Sequence, residues 1–264
     1  MSRRKDIFRE ERLQLIVERL LEAKKIYVTD LAREFNLSSS SIRMDLAELE
    51  VRGLLQRTYG GAILTEKMGG NLVMNKLILH AREETLREEK DAIGQAAAAL
   101  IEDGDTLMID GGSTLWHVAH HLQGRRNLTI VTNATNLLPV LLEIPDSEIY
   151  VSGGLLRRHD EILVGDIALD ILGRFNTAKC LLGMDGVSLE FGLTATDFPI
   201  AAAKRKMIAS CKQILVICDH TKLGHVCLLP VAPLEKMDYL ITDSGAAPAF
   251  LAEIRRRGPQ VITG

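Results

Sequence analysis

"SSSSIRMDLAELEVRGLLQRTYGGAI", Ser38 to Ile63, sets a helix and a ribbon side by side in one short run. Ser38 is placed to cap a helix by accepting a hydrogen bond from an early backbone N–H. Ile42, Leu46 and Leu49 then recur at helical spacing as one apolar stripe, and Gly53 marks the stop. "LLQRT" and "AILT" read as short strands, and Gly60-Gly61 offers the positive φ angles of a tight hairpin.

Two helical patterns precede this stretch. In "REERLQLIVERLLEAKK", Leu13, Ile16, Val17, Leu20 and Leu21 fall on one face, with charges elsewhere. In "VTDLAREFNLS", Thr29 is the expected N-cap, Leu31 and Phe35 lie one turn apart, and Asn36 suits a left-handed stop. Helix, helix, turn, helix and ribbon make a winged helix-turn-helix. Its third helix exposes Ser39, Ser40, Ser41, Arg43, Met44 and Ala47. Hydroxyls at a helix start approach phosphates closely, and Arg43 has the reach for a guanine edge or a phosphate. Arg57 and Tyr59 stand in the wing, in position to touch a DNA backbone. Arg3, Arg4, Lys5, Arg9 and Arg12 read either as a phosphate-seeking arm or as a solvated terminus.

With 264 residues, 47% apolar and 25% charged, the chain has core enough for two ordinary domains. Its net charge of −3 means that nucleic-acid contact has to come from a local patch. Cys180, Cys211, Cys218 and Cys227 form no C-x-x-C pair and read as reduced thiols of a cytoplasmic protein. The charged N-terminus is followed by no apolar signal region, and no run reaches membrane-spanning length.

"SIRMDLAELEVRGLLQRTYGGAIL" resembles the signature of the DeoR family of bacterial transcriptional regulators: a T/S-I-R-x-D-L helix, a Leu-x-x-x-G-x-Leu approach and an R-x-Y/H-G-G-A wing. Met44 departs from the pattern, since the family usually has Arg or another polar residue there. Methionine makes no bidentate contact to guanine, though it can touch a thymine methyl.

The winged unit is expected over residues 9–64, a linker containing Gly69-Gly70 and His80 over 65–81, and a second domain over 82–264. From Arg82 a helical pattern carries Ile93, Ala97, Leu100 and Ile101 on one side. It resembles the "EEK-x-x-I" helix that opens the family's effector domain. Beyond it, "TLMID", "LTIV", "EIYVS", "KCLL", "QILVIC", "DYLIT" and "QVI" read as strands, many of them separated by helical patterns, which predicts an α/β domain with a largely parallel sheet.

Small and polar residues collect after these strands: Asp110-Gly111-Gly112-Ser113-Thr114, Thr132-Asn133, Gly153-Gly154, Gly183-Met184-Asp185-Gly186, Asp219-His220-Thr221-Lys222 and Asp243. Open α/β sheets hold ligands at the carboxyl ends of their strands. "DGGSTLW" is the sharpest of the six, with two glycines, two hydroxyls and a helix start that suits a phosphate. Neither a G-x-G-x-x-G nor a G-K-[ST] motif is present, which disfavours dinucleotides and nucleoside triphosphates. The site is sized for one phosphate on a polyol, with Asp110, Asn133, Asp185 and Asp219 placed for hydroxyls and Lys204 or Lys222 for phosphate charge. His117, His120 and His121 sit at helical spacing, but no Cys or carboxylate motif completes a metal site, so a solvated or interface cluster is expected.

These motifs also resemble the family's D-x-G-T/S-T, T-N, G-G, G-x-D-G and D-x-x-K elements, with Ser113 for the usual Thr and His220 where a small polar residue is usual. The resemblance implies an effector domain similar in fold to ribose-5-phosphate isomerase and coenzyme A transferases, and a phosphorylated sugar as effector. The expectation is a homo-oligomeric regulator, dimer or tetramer, that binds double-stranded operator DNA and uses no cofactor, metal or catalytic residue. The alternative is an isomerase-like enzyme with a DNA-binding appendage.

Overall fold

The computed structural model describes residues 9–51, 55–63, 86–158 and 160–264. These divide into two compact units, one within Met1–Glu84 and one within Thr85–Gly264. Gly53, the 65–81 segment with Gly69, Gly70 and His80, and the basic residues Arg3, Arg4 and Lys5 lie outside the described residues.

In the first unit, helices α1 (Arg9–Ala23), α2 (Val28–Glu34) and α3 (Ser39–Val51) enclose Leu13, Ile16, Val17, Leu20, Leu31, Ile42, Leu46 and Leu49, none more than 3% exposed. Ser38 caps α3, accepting from the Ser41 N–H at 3.1 Å. Three strands form the wing: β1 (Lys25–Tyr27), β2 (Gln56–Thr58) and β3 (Gly61–Ile63), with β3 in the middle.

Strand β1 carries no sequence signal, and it displaces the expected N-cap. The second helix starts at Val28 after Tyr27, and Thr29 lies inside it. Asn36 is left-handed, at φ 55°. The hairpin glycines divide their work. Gly60 takes the positive φ of the turn, whereas Gly61 keeps the sheet closed, since a Cβ there would stand 2.0 Å from the Ile26 carbonyl oxygen.

The second unit is a seven-stranded parallel sheet between two layers of helices. Its strands are β4 (Thr106–Ile109), β5 (Thr129–Thr132), β6 (Glu148–Val151), β9 (Thr177–Gly183), β12 (Cys211–Ile217), β14 (Tyr239–Thr242) and β15 (Gln260–Thr263). They lie in the order β15-β14-β12-β9-β4-β5-β6. Alternate side chains feed opposite cores. Leu107, Ile109, Ile130, Leu181, Leu215 and Ile241 pack with α4 (Arg87–Ala98) and α5 (Ser113–His121). Met108, Val131, Cys180, Leu182, Val216 and Leu240 pack with α8 (Phe198–Ala209) and α9 (Pro248–Arg256). The short helices α6 (Leu138–Leu141) and α7 (Asp166–Leu172) complete the layers. Helix α4 ends at Ala98, before Leu100 and Ile101, although Ile101 is fully buried.

Two smaller pieces sit beside this sheet. One is the hairpin of β7 (Leu155–Arg157) and β8 (Ile162–Val164); the other is an antiparallel sheet of β10 (Gly186–Ser188), β11 (Gly192–Ala195) and β13 (Leu229–Ala232).

Candidate effector site and nucleic-acid interface

On α3 the buried stripe fixes which face remains outside. Ser40, Arg43 and Met44 are exposed, and Ser39, Ser41 and Ala47 are half-buried. The Ser40 and Ser41 hydroxyls both turn to Ser38, at 2.7 and 2.9 Å. Among the described residues Arg43 has no side-chain partner. Its neighbour Asp45 is 1% exposed and takes Arg12 in a fork, with Nε at 2.7 Å and Nη2 at 3.3 Å. That pair bolts α1 to α3 and sets the height and roll of the exposed face. It also uses Arg12, one of the basic residues expected either in a phosphate-seeking arm or in a solvated terminus; its side chain is 13% exposed.

In the wing, Arg57 donates its backbone N–H and its Nε to the Glu50 carboxylate, each at 2.8 Å. The backbone N–H first, and then the guanidinium, hold the Glu50 carboxyl below its usual range. Arg57 therefore ties the wing to α3, and Tyr59 stands fully exposed at the wing's tip.

In the second unit the chain moves from β4 out to β5 and β6, then returns to β9 on the other flank of β4. The carboxyl ends of β4 and β9 thus frame the switch point at which open α/β sheets bind ligands. Asp110, Gly111 and Gly112 lead from β4 into α5 there. Gly112 is the N-cap at φ 127°, and the first helical bond runs from Trp116 N–H to the Gly112 carbonyl at 3.1 Å. The N–H groups of Ser113, Thr114 and Leu115 have no partner within the helix, which is the arrangement that receives an anion. Gly111 lies under the β7–β8 hairpin, where a Cβ would meet Ile162 Cγ2 at 2.4 Å.

Lys204, from α8, is sequestered under this loop. Its ammonium binds the Asp110 carboxylate and, at 2.7 Å, the Gly183 carbonyl; Lys204 is 5% and Asp110 3% exposed. Burial alone depresses the ammonium's pKa, but the Asp110 and Asp185 charges outweigh it and hold the group above its ordinary value. The charge of Lys204 is thus compensated within the fold, and Lys222 is half-buried.

The other expected residues divide between scaffold and rim. Thr132 is fully buried; it donates to the Ile109 carbonyl at 2.7 Å and accepts from the Ala134 N–H at 3.0 Å. Asn133, equally buried, donates Nδ2 to the Leu163 carbonyl at 3.3 Å, while its Oδ1 is buried without a partner among the described residues. Gly153 and Gly154 follow the edge strand β6, and Gly154 backs onto the Val164 carbonyl. Asp185 accepts from Thr196 N–H and Oγ1 at 3.0 and 3.2 Å. Asp219 is 3% exposed and caps the turn through Lys222, accepting from Thr221 N–H at 3.0 Å and from its hydroxyl.

Sequence reading passed over Arg157, and it named His220 and Asp243 without the bond between them, because Asp197 and Asp243 lie far along the chain from their partners. Arg157, in the hairpin, binds Asp197 at 2.5 Å and Asp160 at 3.2 Å. Asp197 caps α8, the helix that carries Lys204. His220 is held by the buried Asp243, with Nδ1 at 2.7 Å from Oδ2 and its backbone N–H at 2.7 Å from Oδ1.

The histidines of α5 are not a solvated cluster. His117 is 4% exposed, His121 pairs with Asp91 of α4 at 2.9 Å, and His120 meets Trp116 edge-on with centroids 4.0 Å apart. Burial, the largest influence, depresses the His120 pKa. Asp91 supplies a carboxylate that spacing along the chain concealed, yet no group able to hold a metal ion occurs among the described residues. No described helix is long and apolar enough to cross a membrane.

A winged DNA-reading unit joined to a parallel α/β sensor defines a one-component transcription regulator. The chain belongs to the DeoR family: residues 12–68 match the DeoR-like helix-turn-helix domain and residues 85–244 the DeoR C terminal sensor domain. It is 34% identical to the HTH-type transcriptional repressor GlcR of Bacillus subtilis (strain 168), across 97% of this chain and 96% of that protein. It is 31% identical to the glycerol-3-phosphate regulon repressor of Escherichia coli (strain K12), across 87% and 88%. Among solved structures, the probable sor operon regulator of Shigella flexneri aligns at 12% identity over 62% of this chain and 88% of that chain, with a TM-score of 0.45. Ribose 5-phosphate isomerase A of Methanocaldococcus jannaschii aligns at 13% identity over 52% and 55%, with a TM-score of 0.39.

Proposed function

We propose that this regulator represses a sugar-utilisation operon and that a phosphorylated sugar, bound at the switch point of the second unit, controls its affinity for operator DNA. The observation that carries the reading is the Gly111–Thr114 helix start, with free N–H groups and no triphosphate or dinucleotide motif, at the crevice between β4 and β9. Phosphate occupies that helix start, and the carboxylates along the rim take hydroxyls. Residues 9–64 read DNA through Ser39, Ser40, Arg43 and Met44, with Tyr59 at the wing; residues 65–81 link, and residues 82–264 sense. One winged unit reads few base pairs, so the protein works as a homo-oligomer on paired half-sites in the cytoplasm. Relatives named as repressors support regulation over turnover.

The test is calorimetric titration of the full chain with phosphorylated sugars and their unphosphorylated parents, combined with product analysis. Saturable binding that requires the phosphate, without product, is expected. Formation of an isomerised product contradicts the reading.

A further inference from the structure

The His220–Asp243 pair is built in a way that a structural contact alone does not need. Asp243 follows β14, is 1% exposed, and takes three donors: the His220 backbone N–H, His220 Nδ1 and the Gly245 N–H at 2.9 Å. Gly245 is part of the construction, because a Cβ there would lie 2.7 Å from His220 Nδ1 and 2.8 Å from Asp243 Oδ2. Burial raises the Asp243 pKa, but the His220 and Gly245 N–H groups and then the imidazole outweigh it and hold the carboxyl below its usual range. In the neutral ring, a carboxylate that accepts from Nδ1 fixes the tautomer and leaves Nε2 as a lone-pair acceptor. Nε2 is on the ring edge away from Asp243. The side chain is 33% exposed, and no group among the described residues bonds to Nε2.

The position in the sheet gives the length scale. β12, which delivers His220, lies two strands from β4, which delivers the Gly111–Thr114 loop. Two spacings of about 4.8 Å put the pair roughly 10 Å along the rim from the phosphate loop. That is the scale of a phosphorylated pentose or hexose lying across the strand ends. A small residue at 220 leaves that end of the rim open; the imidazole offers one fixed acceptor.

We infer that His220, oriented by Asp243, accepts a hydrogen bond from a hydroxyl at the far end of the bound sugar phosphate and so selects which sugar phosphate this regulator answers. The inference rests on the effector reading above and adds a specificity-determining residue to it. A site built to bond a hydroxyl discriminates strongly against ligands lacking it, because its own polar atom is then left unpaired.

The experiment is calorimetry on the full chain with ribose 5-phosphate, glucose 6-phosphate, fructose 6-phosphate, glycerol 3-phosphate and inorganic phosphate. Wild type is compared with His220→Ala and His220→Ser, all checked for the same melting behaviour. The tightest-binding sugar phosphate should weaken by about tenfold in both variants, the scale of one lost uncharged hydrogen bond, while inorganic phosphate binds as in wild type. The preference order among the sugar phosphates should flatten in both. Unchanged affinities and order in the two variants overturn the inference and leave the effector reading standing. An equal loss for inorganic phosphate also overturns it, since His220 would then serve the phosphate or the fold. A wild-type chain that binds none of the five overturns the effector reading itself, and this inference with it.

Discussion

Lys204 and Asp110 form a buried ion pair beneath the Gly111–Thr114 loop, with the Gly183 carbonyl as the second acceptor for the ammonium. The pair joins α8 to the end of β4 and, through Gly183, to the end of β9. Its role is to hold the two central strand ends in the geometry the loop requires.

Lys204→Met should therefore act first on stability. Removing one partner leaves the Asp110 carboxylate buried and uncompensated, at a cost of about 3–5 kcal/mol. Denaturant unfolding of the full chain, followed by far-UV circular dichroism, measures this directly. A midpoint equal to that of wild type would contradict the role.

The Arg12–Asp45 fork should link stability to DNA reading in the same way. Asp45→Ala leaves Arg12 without its buried partner and frees α3 to roll against α1, although Asp45 faces the core and not the DNA. Operator affinity should fall along with the melting temperature of the first unit. Wild-type operator affinity in a folded Asp45→Ala chain would show that the fork does not position α3.

Arg43→Ala tests the exposed face itself. Loss of a base-edge or phosphate contact should weaken operator binding by about 1–3 kcal/mol. A fluorescence-anisotropy titration with labelled operator duplex gives the number. Unchanged affinity with the fold intact removes Arg43 from the interface.

Asp243 gives a pH signature. Its pKa is lower in the folded chain than in the unfolded one, so its contribution is present in full above the ordinary value of about 3.9 and is lost as pH falls through the depressed value. Asp243→Asn has no such titration. The melting-temperature gap between wild type and Asp243→Asn should be widest near neutrality and narrow through that acid window. A gap independent of pH would contradict the assignment.

The main sheet was legible because each of its seven strands is a short apolar run closed by small or polar residues, and all seven quoted runs pair in it. The hairpin around Arg157 was not. Leu155 and Leu156 are exposed, and Ile162 to Val164 are buried on both sides, so no alternation marks either strand. Strand β1 is three residues long and owes its existence to pairing with Gly61–Ile63. At the rim, motif spacing located the loops but not their bonds. Thr132 and Lys204 read like ligands, yet they are bonded inward, to Ile109, Asp110 and Gly183. Asp243 closes on His220 from a strand 23 residues further along.

The most direct test of the account is reciprocity between the two ligands. Effector affinity is measured by titrating the bound sugar phosphate against Trp116, the only tryptophan in the chain and two residues beyond Thr114. The titration is run with and without operator DNA selected from random duplexes. If the sensor controls DNA binding, operator must shift effector affinity by the same factor by which effector shifts operator affinity, typically about five- to 150-fold. A shift in that range, equal in the two directions, is the predicted result. Identical effector affinity with and without saturating operator would contradict the account, because the two units would then bind their ligands independently.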